Sequence, residues 1–311
     1  MNILITGGAG FIGSHLCDRL IAEDHTLTVV DNLTLGTRDN IAHLMSHPRF
    51  TFIEDDLLHT EAMRELFENH PFDMVYHLAA NSDIQKGGKD PQVDYQLTFN
   101  TTFQLLMMMK EYHVGKLFFA STSAIFGEAQ GFFNEDFGPL MPVSNYGAGK
   151  LASEAFISAF SSTYGIQTWI TRFPNVVGER FTHGVIFDFI RKLRHDPTTL
   201  EVLGNGEQCK PYIYVRDLVD GIQFVISHSH ERMNVFHLGP ESRTRVKEIA
   251  QMVIEEMGLD ATVRYTGGDR GWVGDVPEFK YDLTRVKELG WQAPRTSNEA
   301  VRLAIRKGLG K

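Results

Sequence analysis

The residues best suited to chemistry fall in two short stretches. In Ser144-Asn145-Tyr146-Gly147-Ala148-Gly149-Lys150 a phenol and an ammonium stand four residues apart, so a helix would carry both on one face. A phenol titrates near pH 10 when unperturbed, about three units too high for a base at neutral pH. A neighbouring positive charge favours the phenolate and would make Tyr146 a usable acid–base toward a hydroxyl. Upstream, Ser121-Thr122-Ser123-Ala124 follows a strand-like run, where a hydroxyl could donate to a reacting oxygen as charge develops on it. The Tyr–Lys spacing also occurs in helices that do no chemistry. Its weight here comes from what precedes it.

The chain begins Ile3-Leu4-Ile5-Thr6-Gly7-Gly8-Ala9-Gly10-Phe11-Ile12-Gly13, which reads as strand, glycine turn and helix. Gly7, Gly10 and Gly13 allow the tight turn and let a pyrophosphate approach the backbone and the amides of Phe11 and Ile12 at the helix N-terminus. Asp31 closes the next strand-like run. A carboxylate there accepts from both hydroxyls of an adenosine ribose and repels a 2′-phosphate, which favours NAD over NADP. The alternative is a structural turn with Asp31 as a strand-end cap, and nearby Arg38 is a cation that could attract the 2′-phosphate. Asp55-Asp56-Leu57 follows the third strand, where a carboxylate can meet the adenine amino group. Leu78-Ala79-Ala80 follows the fourth, where small residues leave room for the cofactor backbone. These segments sit at successive carboxyl ends, where open α/β sheets hold ligands. With a dinucleotide in place, Lys150 could also hold the nicotinamide ribose, and a cationic nicotinamide would add to the pull toward phenolate.

The elements that must position these groups alternate from the first residue. Strand-like runs at 2–6, 27–30, 50–53, 74–77, 116–120 and 168–171 are separated by helical patterns at Phe11–Ala22, 60–68, 91–112 and 146–164. Such alternation predicts βαβ units and a Rossmann-type doubly wound parallel sheet. After Phe173 the pattern loosens among scattered prolines. The expectation is an α/β fold with a dinucleotide domain over 1–172, to which some later segments return, and a smaller mixed α/β substrate lobe over 173–311.

Composition narrows the classes. With 311 residues the chain holds one large domain or two modest ones, and 42% hydrophobic residues suit a globular protein. Thirty basic side chains against 39 acidic ones give −9, which disfavours nucleic acid or an anionic membrane as bulk partner. The longest apolar run, residues 105–109, is far short of the roughly 20 residues a membrane span needs. Two cysteines, Cys17 and Cys209, are too few for a disulfide framework, and 13 scattered histidines lack ligand spacing. A cytoplasmic, metal-free protein is expected. Met107-Met108-Met109 reads as core or dimer surface.

Taken together, TGGAGFIG, Asp31-Asn32-Leu33, His77-Leu78-Ala79-Ala80, the STSAIFG segment, YGAGK, Arg172-Phe173-Pro174-Asn175-Val176-Val177-Gly178 and Tyr212-Ile213-Tyr214-Val215-Arg216-Asp217 resemble the NAD-dependent nucleotide-sugar epimerase/dehydratase family. That family belongs to the extended short-chain dehydrogenases/reductases, and the match is close to the UDP-glucose 4-epimerases. The resemblance spans almost the whole chain. It implies a tightly held NAD, a C-terminal lobe binding a nucleoside diphosphate sugar (a UDP-sugar above all), and a homodimer formed through two helices of each subunit.

By matching positions, Tyr146 is the catalytic acid–base and Lys150 its partner, with Thr122 and Ser123 beside the sugar. Asn32 adjoins the cofactor, and Asn175, Lys210 and Arg270 lie toward the substrate diphosphate. Lys210 stands where many relatives carry arginine, keeping the charge but losing the bidentate fork. Ser123-Ala124 replaces the Asp-Glu pair of relatives that remove water across C5 and C6, so the proton-transfer groups for 4,6-dehydration are missing. Thr98 replaces a common asparagine of the long helix, and Phe126 the tyrosine of a VYG motif. The expected reaction is inversion at C4 through a transient 4-keto sugar. Alternatives are another nucleotide-sugar epimerase, dehydratase or reductase of the family, or, in a different class, a dinucleotide sensor without turnover. The dimer should join the helices over 91–112 and 146–164 through Phe99, Phe103, Leu106, Met107, Phe156 and Phe160.

Overall fold

A computed structural model describes residues 1–129, 131–268 and 278–311, which form two compact units. The first comprises Met1–Gly127, Pro139–Arg172 and Val225–Phe236. The second comprises Glu128–Gly138, Phe173–Phe224 and His237–Lys311.

A seven-stranded sheet organises the first unit. Its strands are β1 (Asn2–Thr6), β2 (Thr26–Asp31), β3 (Phe50–Glu54), β4 (Met74–His77), β5 (Lys116–Thr122), β6 (Gln167–Phe173) and β7 (Met233–His237). Their spatial order is β7-β6-β5-β4-β1-β2-β3, and every pair from β3 to β5 is parallel. Connections run one way from β1 to β3 and the other way from β4 onward. The order therefore reverses between β1 and β4, which opens a crevice at their carboxyl ends. The strands read as nearly unbroken apolar runs because helices cover both faces, and Ile3, Leu4, Ile5, Val75, Leu117, Phe118 and Phe119 are all completely buried.

Four helices matter for the site: α1 (Phe11–Ala22), α2 (Thr60–Asn69), α3 (Thr101–Glu111) and α4 (Asn145–Tyr164). Met63, Leu66, Leu105, Leu106, Met108, Met109, Ile157 and Phe160 bring α2, α3 and α4 into one core with Leu4, Val75 and Phe119. Leu106 and Phe160 thus pack inside the subunit, which removes them from the expected dimer face. The face that remains is aromatic. Phe156 meets Phe99 at 5.3 Å and Phe103 at 5.4 Å between ring centroids, with Tyr95 and Tyr164 exposed at its ends.

The helix expected over 91–112 forms in three pieces. Pro91–Asp94 is α-helical, Tyr95–Asn100 winds as a π-turn, and α3 follows. The wider turn has a cause in its partners. Thr98 is fully buried, its hydroxyl accepts from the Asn81 amide at 3.2 Å, and its carbonyl accepts from the Thr102 and Ser153 hydroxyls.

The second unit gathers around α5 (Val185–His195), α6 (Val246–Met257) and α7 (Ser297–Gly308). Ile190, Leu193, Ile249, Val253, Val301 and Ile305 form its core. Four strand pairs complete it among the described residues: Asn175–Val177 with Tyr212–Tyr214, Thr199–Val202 with Thr262–Tyr265, Cys209–Lys210 with Thr244–Arg245, and Phe132–Phe133 with Lys280–Tyr281. Among the described residues no helix is long and apolar enough to cross a membrane.

Candidate active site

The turn between β1 and α1 is built around Gly7, whose φ of 75° is a left-handed value that costs glycine little. A side chain at Gly13 would place Cβ 2.2 Å from the Gly7 carbonyl, so the helix can lie against the turn only with glycine there. Among the described residues no side chain caps α1 at Gly10. An uncapped helix N-terminus behind a glycine turn suits a pyrophosphate. These residues fit the dinucleotide.

Asp31 is buried, 8% exposed, against this same turn. It accepts from the Ala9 amide at 3.0 Å and the Leu33 amide at 2.9 Å, and the Gly10 amide also bonds it. Burial raises its pKa, opposed by those three amides. The carboxylate therefore braces the turn, and the three amides leave one of its four lone-pair sites for a ribose hydroxyl. Arg38 is turned away from this role. It pairs with Glu54, the residue opposite Asp31 on β3, and lies over the Phe52 ring at 5.3 Å. Asn32 donates to Asp56 at 2.8 Å, linking the ends of β2 and β3, while Leu57 turns into the core. Leu78, Ala79 and Ala80 follow β4 half-buried, with the Leu78 amide on the Thr6 carbonyl at 3.0 Å.

The Tyr–Lys pair lies on α4, which Ser144 caps by accepting from the Gly147 amide at 3.1 Å. A Cβ at Gly147 would sit 2.6 Å from the Ala124 carbonyl, so glycine lets the first helical turn rest on the Ser123-Ala124 segment. Thr122 ends β5 and accepts from the Ala124 amide at 3.2 Å, which leaves its proton to donate. Ser123 follows, half-buried, at the start of a short 3-10 turn. Thr122 hydrogen-bonds the Tyr146 hydroxyl and draws its pKa down, but burial outweighs this and, with the Asp94 carboxylate, pushes the phenol up to about 12.

Lys150 is 2% exposed. Its ammonium donates to the Ala120 carbonyl at 2.7 Å and lies 4.6 Å over the Phe119 ring. Burial pushes the amine down to about 7, against the pull of Glu154. The partner that bonds Tyr146 is therefore Thr122, while Lys150 is held by β5.

Behind the pair runs a polar network that the sequence reading did not single out. His77 is completely buried at the end of β4, with Nδ1 2.6 Å from the Thr6 hydroxyl and Nε2 2.9 Å from that of Thr102. Because Thr102 donates to the Thr98 carbonyl, it accepts from Nε2–H, and Nδ1 accepts from Thr6. Burial, with the Lys150 charge adding, holds this imidazole neutral and its pKa down at about 3. The Ser153 hydroxyl joins Thr102, Thr98 and Gly149 and ties α4 into the chain. Helical spacing from Tyr146 and Lys150 was the available signal for Ser153 and Glu154.

The remaining candidates belong to the second unit. Asn175 is exposed at the start of its strand, opposite Tyr212. Lys210 is half-buried in the short strand paired with Thr244–Arg245. Arg270 lies outside the described residues. In the Tyr212–Asp217 motif, Tyr214 donates to Glu179 at 2.6 Å and Asp217 pairs with Arg295.

Residues 3–239 match the NAD dependent epimerase/dehydratase family. A putative UDP-glucose 4-epimerase of Methanocaldococcus jannaschii is 30% identical over 308 residues, 97% of each chain. The solved UDP-glucose 4-epimerase of Thermotoga maritima with UDP-glucose is 32% identical, covers 99% of this chain and 100% of its own, and superposes with a TM-score of 0.89. That of Thermus thermophilus with NAD is 27% identical at the same TM-score, covering 100% of this chain and 99% of its own. With a glycine turn fit for a dinucleotide, a matching fold and a family pattern over most of its length, the chain belongs to the NAD dependent epimerase/dehydratase family.

Proposed function

We propose that this enzyme, whose cofactor is NAD, inverts the configuration at C4 of a nucleoside diphosphate sugar, a UDP-sugar above all. The observation that carries the reading is the Thr122–Tyr146 hydroxyl pair at the carboxyl end of β5, in the same unit as the glycine turn. Gly7, Gly10, Phe11, Ile12 and Gly13 would take the pyrophosphate, Asp31 and Asn32 the adenosine ribose, Asp56 and the backbone of Leu57 the adenine, and Leu78–Ala80 the central stretch. NAD, when bound, supplies the acceptor and later the donor of the C4 hydride.

The chain's own residues handle the proton. Tyr146 exchanges it with the C4 oxygen, Thr122 steadies that oxygen by donating its hydroxyl proton, and Lys150 partners Tyr146 through its positive charge and holds the nicotinamide ribose. Ser123 adjoins the sugar, and Asn175, Lys210 and Arg270 serve the diphosphate. Ser123 and Ala124 offer no carboxyl acid or base for dehydration, and the 4-epimerase relatives favour C4. We also propose a homodimer formed through the Phe99–Phe103–Phe156 face. Cytoplasmic residence is proposed from two free cysteines, one of them buried.

Turnover of UDP-sugars in heavy water tests the reaction. Hydride removed from C4 and returned to C4 never mixes with solvent, so the product should carry no deuterium on any ring carbon. A C4-deuterated substrate should keep its label. Deuterium at C3 or C5 would overturn inversion at C4.

A further inference from the structure

Glu154 lies one helical turn beyond Lys150, so Tyr146, Lys150 and Glu154 form one stripe along α4. The proton-transfer scheme leaves Glu154 without a task, yet its side chain is only 7% exposed. Both oxygens are engaged. Oε1 accepts from the Ser121 hydroxyl at 2.5 Å and from Arg172 Nε at 3.1 Å, and Oε2 accepts from Arg172 Nη2 at 2.7 Å. Ser121 directly precedes Thr122. Arg172 is equally buried, and its guanidinium sits 5.7 Å from the Phe126 ring, in the turn that Thr122 caps.

A buried ion pair kept only to tie a helix to a strand is dispensable, since packed apolar residues often serve as well or better. An apolar pair could not supply a hydrogen-bond acceptor to the strand end or a negative charge beside a buried amine. We propose that Glu154 is a positioning residue for the proton-transfer pair: through Ser121 it fixes the strand end carrying Thr122, and it sets a carboxylate one helical turn from the Lys150 amine. The inference rests on Lys150 being the partner of Tyr146.

The groups around Lys150 leave this charge little competition. β5 offers the Phe119 ring and the Ala120 carbonyl, and β4 offers His77, which is neutral. On α4 stand Tyr146, a neutral phenol, and Glu154. β6 contributes Arg172, which is committed to Glu154, and the Asp94 carboxylate acts on Tyr146. Burial drives the Lys150 amine toward its neutral form, and Glu154 is the charge opposing it. A neutral amine cannot stabilise a phenolate.

The test follows Lys150 directly, in NAD-loaded protein carrying ε-13C lysine, with its resonance assigned by its loss in Lys150→Met. Glu154→Gln leaves a buried guanidinium without its counter-charge, so it is paired with the double variant Glu154→Leu/Arg172→Met, in which neither charge remains. The Lys150 midpoint should fall in both variants, by about one pH unit or more in Glu154→Gln, where the guanidinium is left unopposed, and by less in the double variant. The alkaline limb of kcat/KM should move down with it, and restoring the carboxylate as Glu154→Asp should recover most of the shift. A folded double variant with the parent's midpoint would overturn the proposal, as would failure of both variants to fold, which would make the pair purely structural. Lack of turnover on every nucleotide sugar would refute the proposed reaction instead, and the lysine titration would still decide on Glu154.

Discussion

His77 should make the stability of this fold pH-dependent in a window that can be worked out in advance. In the unfolded chain its imidazole titrates near 6.5. In the fold burial holds it at about 3. The folded pKa is depressed, so the stabilisation is fully present above pH 6.5 and is lost as pH falls toward 3. Between those limits the unfolded chain takes up a proton that the folded chain refuses, and stability falls by about 1.4 kcal/mol per pH unit. From pH 7 to pH 5 the loss from this one side chain is about 2 kcal/mol, a large share of the roughly 5–15 kcal/mol typical of a domain. Urea unfolding of the parent and of His77→Gln at both pH values isolates it, because every other titrating group cancels in the difference. The variant should be less stable at pH 7 but should lose about 2 kcal/mol less on acidification. Equal losses in the two proteins would refute the reasoning, as would an imidazole that takes up a proton between pH 8 and 5 by NMR.

Tyr146→Phe should retain fold and NAD while turnover falls by about 10²–10⁴-fold, the usual share of a general acid–base. A variant within a factor of two of the parent would point to another group. Lys150→Met should lower both turnover and NAD retention. Calorimetry should show NAD binding more tightly than NADP, and Glu54→Gln, by releasing Arg38, should narrow the gap; equal affinities in the parent would remove Asp31 as the selector. Light scattering should report a dimer for the parent and a monomer for Phe156→Asp, whereas a monomeric parent at micromolar concentration would reject the aromatic interface.

The glycine turn, Asp31 and the order of strands along the first half of the chain were legible because their causes are local. A left-handed glycine, an uncapped helix start and doubly covered apolar strands each leave a mark within a few residues. The π-turn at Tyr95–Asn100 leaves none. It follows from Asn81 and Ser153, which reach Thr98 from distant parts of the chain. Leu106 and Phe160 illustrate another limit. Periodicity identifies an apolar side chain but not the neighbour that covers it, and both turned inward while Phe156 stayed 40% exposed. His77 was legible as the last residue of a strand, whereas its role as a relay of hydrogen bonds needed Thr6 and Thr102 in place. The exchange of segments between units, with Glu128–Gly138 in the second and Val225–Phe236 in the first, is set by long-range packing that composition does not record.

The polypeptide by itself biases its phenol toward the protonated form. Positive charge from Lys150 was the expected source of an acidified tyrosine, yet the ammonium is spent on the Ala120 carbonyl and the Phe119 ring. Burial and the Asp94 carboxylate press Tyr146 upward, and only the Thr122 hydroxyl presses it down. A phenol held at about 12 stays protonated throughout the physiological range, so the chain by itself builds a proton donor. Reversible inversion needs the same oxygen as acceptor in one half of the cycle and donor in the other. The donor half is written into the packing of α4 on β5. The acceptor half requires added positive charge, which the oxidised nicotinamide carries when bound, and the buried amine at Lys150 must remain an ammonium to assist it. That requirement gives a carboxylate one turn further along the helix a reason to be buried there.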